Sequence, residues 1–311
     1  MANQTNSFIN NHNQLAERYT TLALSASGAQ NTSSADTLDY LHRITTASFK
    51  RFKVGDHTQG FFLNPQGKIQ LGFYAYYVNP STVLLACLTH NADEALRIVE
   101  AMHFREAFTV EPKPELTFSR STQANNTGEP RWSYGRKNDT QLLELGFSKS
   151  TLSDPATLFW WDYARNHPFT AAEFSNSMIP LELVSPEFLS EWVQENKGCY
   201  PGQEVVERIR SMGQPPKFTV RIYGYQKGDD LESLENRIAE SLSKPETSTW
   251  GRYYRFTELT DAAKSSEFAA LGLSQDTTWC AFINLKRSDY TKSLETKTIT
   301  LFDTFAATIL D

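Results

Sequence analysis

Residues 196–204 bring a lysine, a thiol, a phenol, an amide and a carboxylate together around two glycines, the densest set of reactive groups in the chain. Residues 205–210 have the composition of a helix, which would start with Tyr200 as N-cap and Pro201 at the first helical position. Cys199 would then lie just before a helix N-terminus, with Lys197 on the same face of an extended segment. A helix N-terminus and an ammonium group both stabilise a thiolate, which predicts a reactive cysteine. A buried, inert cysteine in a Gly-Pro turn fits these residues equally well.

The composition excludes several classes of protein. The 311 residues give room for two domains or three small ones, and a hydrophobic content of 40% supplies a full core. The net charge of -6 argues against broad binding to nucleic acids or anionic membranes, which needs a basic face. Three widely spaced cysteines, Cys87, Cys199 and Cys280, match neither a disulfide framework nor a zinc site. Because no secretory or mitochondrial signal and no bilayer-length apolar run is visible, we expect a cytoplasmic protein.

The elements that must position the reactive stretch follow from hydrophobic periodicity and turn residues. A polar arm at 1–19 precedes an α+β module at 20–215, and a mostly β domain follows at 216–311. In chain order, the predicted helices are 36–53, 92–103, 157–165, a segment from 185 to about 196, and 231–242. The predicted strands are 20–25, 60–63, 68–78, 82–89, 108–110, 116–119, 218–225, 250–256, 279–286 and 296–302. The polar residues 120–139 are a long loop or a poorly marked pair of strands.

Other patterns that carry chemistry are weak. No glycine-rich nucleotide loop, serine-hydrolase elbow or zinc-protease motif occurs. The six histidines are scattered and are interpreted as surface or helix-end residues: His12, His42, His57, His90, His103 and His167. Lys197, Arg208, Arg210 and Lys217 would form a basic patch for an anionic small molecule, and the same residues fit a solvated helix face.

The stretch Lys-Gly-Cys-Tyr-Pro-Gly-Gln-Glu at 197–204 resembles the K-G-C-Y/V-x-G-Q-E signature of the YgfZ family. This family consists of folate-binding proteins related to the glycine-cleavage T-protein, an aminomethyltransferase. Residues 39–46 are similar to the family's early helix, 62–69 to its hairpin, and 178–182 to the segment before the signature. The resemblance extends over residues 20–215. In the C-terminal remainder only the order of the segments is similar.

The resemblance implies a fold, a ligand and a set of site residues. The fold is a T-protein-like α+β folate-binding module followed by a small antiparallel β-barrel, with tetrahydrofolate in a cavity between the lobes and Cys199 on its rim. Cys199 and Lys197 would be the catalytic pair, acting in the assembly or repair of iron–sulfur proteins, which would be the partners. Glu204 would bind the pterin and Arg208 a folate carboxylate. The cofactor-binding residues implied are Tyr200, Gln203, Glu204, Arg208, Thr45, Asn64 and Glu182.

One departure from the related aminomethyltransferases separates the possible functions. Those enzymes carry paired aspartates just after the hairpin glycine, whereas Gly67 is followed here by Lys, Ile, Gln, Leu and Gly. None of these side chains is a carboxylate that could perform the chemistry of the aspartates at the folate. The sequence therefore favours a folate-dependent iron–sulfur assembly factor over a folate-dependent one-carbon transferase. A third possibility is a module that keeps the fold and has lost the ligand.

Overall fold

The computed structural model describes residues 19–27, 34–89, 91–121, 130–134, 143–148, 162–163, 178–184, 186–243, 250–256, 268 and 271–310. The predicted polar arm lies outside these residues except for Tyr19, and the predicted aromatic helix at 157–165 lies outside them except for residues 162 and 163.

The first lobe contains a five-stranded antiparallel sheet with the strand order β2-β3-β4-β1-β5. Its strands are β1 (Thr20–Ala26), β2 (His57–Leu63), β3 (Ile69–Asn79), β4 (Thr82–Cys87) and β5 (Phe108–Pro112). Helices α1 (Ala35–Ile44) and α2 (Ala92–Glu100) pack their apolar stripes, which include Leu41 and Val99, against one face of this sheet. The predicted meander is present, with the Asn-Pro-Gln-Gly turn between β2 and β3.

Helix α1 is shorter than its apolar periodicity predicts, and the predicted extension to Lys53 is wrong. Thr45 adopts an extended backbone, and its hydroxyl donates to the carbonyl of Leu41 at 2.7 Å, which completes the last helical turn. Thr45 then pairs with Phe62 of β2 as an isolated bridge. Phe49 is still buried, because the chain folds back over the same sheet face.

A second, three-stranded antiparallel sheet covers the other side of the first lobe. Its strands are β6 (Thr117–Ser121), β7 (Arg131–Tyr134) and β8 (Leu143–Ser148), in the order β6-β8-β7. Three short helices follow: α3 (Pro180–Leu183), α4 (Pro186–Trp192) and α5 (Gln203–Met212). Trp132, Trp192, Tyr200 and Val206 share one apolar core with the outward face of the first sheet.

The described part of the C-terminal lobe contains a five-stranded antiparallel sheet and two helices. Its elements are β9 (Lys217–Gly224), α6 (Gly228–Leu242), β10 (Trp250–Arg255), β11 (Trp279–Lys286), α7 (Arg287–Thr296), β12 (Thr298–Leu301) and β13 (Phe305–Leu310). The order β10-β11-β9-β13-β12 leaves β10 and β12 at opposite edges, with no pairing between them in the described part of the lobe. Closure into the expected barrel therefore stays a prediction.

Helix α7 was not predicted, and the predicted strand at 296–302 begins only at Thr298. The physical reason is the sequence Arg-Ser-Asp-Tyr-Thr-Lys-Ser-Leu-Glu-Thr, which has no apolar stripe; Ser293 is its one buried residue. The predicted domain boundary at 215/216 falls in the connection between α5 and β9 and also stays a prediction.

Candidate functional site

The signature at 197–204 forms an irregular loop that leads into helix α5. Asn196, Gly198 and Gly202 have positive φ angles of 55°, 107° and 77°. Gly202 is the N-cap and Gln203 the first helical residue, so the predicted start at Tyr200 and Pro201 is wrong. Cys199 lies four residues before the helix instead of directly in front of it. The helix dipole, whose effect is concentrated within one turn of the terminus, supports Cys199 less than the sequence predicts.

The hairpin turn at 64–67 and the signature loop are packed backbone against backbone. A Cβ atom added to Gly202 would lie 2.5 Å from the carbonyl oxygen of Asn64 and 2.7 Å from the Cα of Gly67. A Cβ atom on Gly67, which also has a positive φ, would lie 3.0 Å from the Cβ of Val205. Two segments separated by more than 130 residues therefore form one unit, and both glycines are required for the close approach.

The side chain of Asn64 builds this turn. Its carboxamide oxygen accepts hydrogen bonds from the backbone N–H groups of Gln66 and Lys68, at 3.0 and 2.9 Å. Asn64, which the sequence predicts to bind the cofactor, thus stabilises the hairpin turn, and both of these hydrogen bonds use its amide oxygen.

Lys197 is buried beneath the loop, whereas Cys199 is exposed on it. The Lys197 ammonium donates a hydrogen bond to the backbone carbonyl of His42, and it lies 5.0 Å from the centre of the Tyr200 ring. Burial lowers the pKa of Lys197 to about 8, and the nearby charge of Lys50 acts in the same direction. The two residues that the sequence places on one face therefore point to different environments, because the positive φ at Gly198 interrupts the extended segment.

Tyr200 has its ring in the core, and its hydroxyl has no hydrogen-bond partner among the residues that the structure describes. Burial raises the pKa of Tyr200 to about 12. Glu204 and Arg208 are exposed on helix α5, and Gln203 is half-buried at its first position.

Thr45 and Thr46 tie the end of α1 to the signature side of the lobe. Thr45 is fully buried, and its hydroxyl is used at the helix end described above. Thr46, which the sequence analysis did not single out, donates from its hydroxyl to the Trp192 carbonyl at 2.5 Å and accepts from the Phe61 N–H at 2.8 Å. The pair of adjacent threonines in the segment at 39–46, which resembles the family, is the feature of the sequence from which this role could be predicted.

A cavity of about 360 Å³ lies between the first lobe and the C-terminal sheet. Its walls are mainly apolar, including Leu183, Val184, Phe218 and Ile309, and the charged residues that line it are Glu182, Arg210 and Arg221. Of the nine predicted site residues, Glu182 alone lines it, and Cys199 does not lie on its rim. Arg221 was missed, because a single arginine in an apolar strand gives no pattern that distinguishes a lining residue.

Glu182 is a buried carboxyl group at the start of α3. One of its oxygens accepts from the backbone N–H of Ile179 at 3.1 Å, which caps the helix. Burial raises the pKa of Glu182, while Lys217 and Lys68 oppose that change. Arg210 donates to the Val193 carbonyl at 3.2 Å and pairs with Glu207 at 2.9 Å.

Helix α5 connects the signature to the cavity. Its first residue follows the signature loop, and Arg210 and the C-cap Gly213 line the cavity at its other end. Ten residues of α-helix separate the two ends by roughly 15 Å. The exposed thiol, on the loop before α5, and the cavity, at the far end of α5, are therefore distinct sites.

No helix among the described residues combines the length and apolar character needed to cross a bilayer. Within the same part of the chain, no group of three or more histidine, cysteine, aspartate and glutamate residues is arranged to hold a metal ion.

Comparison with known proteins gives a likeness at the level of structure. No family model and no curated protein matches the sequence. Among solved structures, the chain is similar to the glycine cleavage system aminomethyltransferase T from Bartonella henselae, with a TM-score of 0.54 and 10% sequence identity. The superposition covers 96% of this chain and 84% of that chain. At this identity the likeness concerns the fold alone: the chain has a mixed α+β fold of the aminomethyltransferase T kind over nearly its whole length.

Proposed function

We propose that this protein binds tetrahydrofolate in the cavity between its lobes and assists the assembly or repair of 4Fe–4S proteins in a reducing, cytoplasmic setting. The observation that carries the proposal is the contact between Gly67 and Gly202. It joins the two most family-like segments, the hairpin and the K-G-C-Y-P-G-Q-E signature, within a fold of the aminomethyltransferase T kind.

The cavity lining fits a folate in size and chemistry. A volume of about 360 Å³ lies in the range of small-molecule sites, which are mostly apolar with a few polar groups. Leu183, Val184 and Phe218 offer apolar surface to a flat pteridine ring. Glu182 supplies a carboxylate that can accept hydrogen bonds from pterin N–H groups. Arg210 and Arg221 would supply guanidinium groups to the carboxylates of the glutamate tail. In this structure Arg210 pairs with Glu207, and Arg221 donates to the Tyr163 carbonyl at 3.0 Å, so the remaining N–H groups would serve the ligand.

Our proposal assigns the pterin to Glu182 and the folate carboxylates to Arg210 and Arg221, because these residues line the cavity. The roles that the sequence predicts for Glu204 and Arg208, both exposed on α5, remain untested and form the competing assignment. When bound, tetrahydrofolate would supply a reduced ring with one-carbon and reducing capacity. The chain's own contribution is to exclude water from the ring, orient it and hold its charged tail.

Cys199 would act on partner proteins from outside the cavity. Its exposure lets a thiol reach a client protein or a cluster, which the buried Cys87 and Cys280 cannot do. The buried ammonium of Lys197 provides a fixed positive charge behind the loop. A redox or cluster-handling role for Cys199 is consistent with this placement.

The alternative is a folate-dependent aminomethyltransferase or demethylase, which the fold of the similar structure favours. The residues after Gly67 argue against it, because Lys68, Ile69, Gln70 and Leu71 include no carboxylate for the chemistry at the folate. Release of methylenetetrahydrofolate from a methylamine donor by the purified protein would establish this alternative.

A deletion strain complemented with the wild-type gene or with Cys199→Ala tests the proposed function. We expect wild type to restore the activities of 4Fe–4S enzymes and Cys199→Ala to fail, while Cys280→Ala, a buried thiol, serves as the matched control and restores them. Equal rescue by wild type and Cys199→Ala would contradict the role of Cys199. A folded module that has lost its ligand would instead give no tetrahydrofolate binding in calorimetry.

A further inference from the structure

His42 and Lys197 lie together although they come from distant parts of the chain. The Lys197 ammonium donates a hydrogen bond to the backbone carbonyl of His42, and the His42 ring packs against the same loop at Gly198. Both residues are buried, with 9% of His42 and 4% of Lys197 exposed. These contacts link the end of helix α1 to the loop that carries Cys199.

The hydrogen bonds of the imidazole ring determine where its proton lies. The backbone N–H of Phe49 donates to Nδ1 at 3.3 Å, so Nδ1 is an acceptor and carries no proton. The other nitrogen, Nε2, faces the signature loop, since a Cβ atom on Gly198 would lie 3.9 Å from it. The proton of the neutral ring therefore lies on Nε2. The ring fits its surroundings as the neutral Nε2–H form.

Protonation of His42 would disrupt this arrangement. A second ring proton would sit on Nδ1 and point at the Phe49 N–H, so that two donors face each other. The new charge would also lie beside the ammonium of Lys197 and near that of Lys50. Burial, followed by the charges of Lys197 and Lys50, lowers the pKa of His42 below its ordinary value of 6.5, and the Lys197 backbone and the charge of Asp39 oppose this change less strongly.

We propose that neutral His42 is the positioning residue of the signature loop, and that acid releases the loop and changes the presentation of Cys199. The groups that face this pair are Lys50 from the 45–56 segment, Asp39 from α1, and Lys197 and Cys199 from the loop itself. Of these, His42 is the group whose ordinary pKa lies between pH 5 and 7. The inference concerns the loop alone and holds whether or not the cavity binds folate.

The direction of the effect follows from linkage. The open loop binds a proton to His42 more readily than the closed loop does. The closed loop is therefore most stable relative to the open loop above pH 6.5, and this stability declines as the pH falls below that value. Each pH unit in the affected range shifts the opening equilibrium by up to about tenfold.

Hydrogen exchange of the backbone amides at 196–200, followed by mass spectrometry and corrected for intrinsic pH dependence, tests the proposal. In wild type we expect exchange of this segment to accelerate, up to about tenfold per pH unit, as the pH falls from 6.5 towards 5. His42→Gln keeps a donor and an acceptor and does not titrate, so its loop should stay closed at both pH values. His57→Gln is the matched control, because burial also lowers the pKa of His57, but this residue stacks on Trp132 at the start of β2, the end of the strand opposite the hairpin turn that contacts the signature. This variant should behave like wild type.

Two results would overturn the inference. One is equal acceleration of exchange in wild type and His42→Gln, which would assign the pH dependence to another group. The other is His42→Leu with wild-type protection at pH 7, which would show that the ring does not hold the loop. Circular dichroism of each variant distinguishes local opening from global unfolding, and His42→Gln alone decides the matter if His42→Leu does not fold.

Discussion

A pair of glycine substitutions tests the contact between the signature and the hairpin. Gly202 and Gly213 flank the same helix, α5, with similar φ angles of 77° and 81°. An alanine at either position is strained, because a side chain in the left-handed region costs roughly 1–2 kcal/mol. The two sites differ in their surroundings. A Cβ atom at Gly213 meets nothing within 4 Å, whereas one at Gly202 would lie 2.5 Å from the Asn64 carbonyl oxygen.

The expected magnitudes follow from this difference. Gly213→Ala should lower the free energy of unfolding by about 1–2 kcal/mol, the backbone strain alone. Gly202→Ala carries the same strain plus a forced separation of the loop from the hairpin, and overpacking of this kind costs about 1–3 kcal/mol more. The loss of unfolded-state freedom on replacing glycine by alanine is the same for both, so it cancels in the comparison.

Urea unfolding monitored by tryptophan fluorescence gives the comparison directly, because Trp192 shares the core with Tyr200 and Val206. We expect the midpoint of Gly202→Ala to fall clearly below that of Gly213→Ala. If the two variants lose the same stability, the hairpin and the signature loop are not in the close contact on which the proposed function depends.

Two further predictions follow from buried groups of the same lobe. The first compares the free energies of unfolding of wild type and Lys197→Met from pH 7 to pH 10.5. Relative to the variant, wild type should gain up to about 3 kcal/mol above pH 8, because the buried ammonium, with its lowered pKa of about 8, costs stability until it loses its proton. A difference that is constant with pH would contradict the burial of that charge. The second is that Thr46→Val should lower the free energy of unfolding in urea by about 1–3 kcal/mol, because it leaves the Phe61 N–H and the Trp192 carbonyl without their partner. Thr109→Val, on the exposed face of β5, should have little effect. Equal effects of the two substitutions would refute the role assigned to Thr46.

The sequence predicts the elements that depend on local patterns. The apolar spacing of α2 and the Asn-Pro-Gln-Gly turn between β2 and β3 are local features, and both appear in the structure. Helix α5 was predicted from its composition, but its start was not, because Pro201 is equally suited to the first helical position. The start of the helix is set by the left-handed backbone of Gly202 and by its contact with the hairpin, which is distant in sequence.

The candidate site was predicted less completely for the same physical reason. The spacing of Lys197 and Cys199 places them on one face only if the segment is extended, and the positive φ at Gly198 separates them. The cavity depends on how the C-terminal sheet packs against α3 and α5, which no local pattern specifies. Arg221 is therefore identified as a lining residue only by the structure, whereas the segment at 178–182 that resembles the family already predicts Glu182 as a site residue.

Calorimetric titration of tetrahydrofolate under anaerobic conditions tests the central claim most directly. We predict one binding site in wild type and at least a tenfold loss of affinity in Glu182→Gln, since a hydrogen bond to a charged group contributes about 1.5–3 kcal/mol. Gln retains an oxygen to cap α3, so the comparison isolates the charge. The exposed residue Glu204 provides the matched control, and Glu204→Gln should bind as wild type does. Absence of binding in wild type, or a loss confined to Glu204→Gln, would contradict the placement of the folate in this cavity.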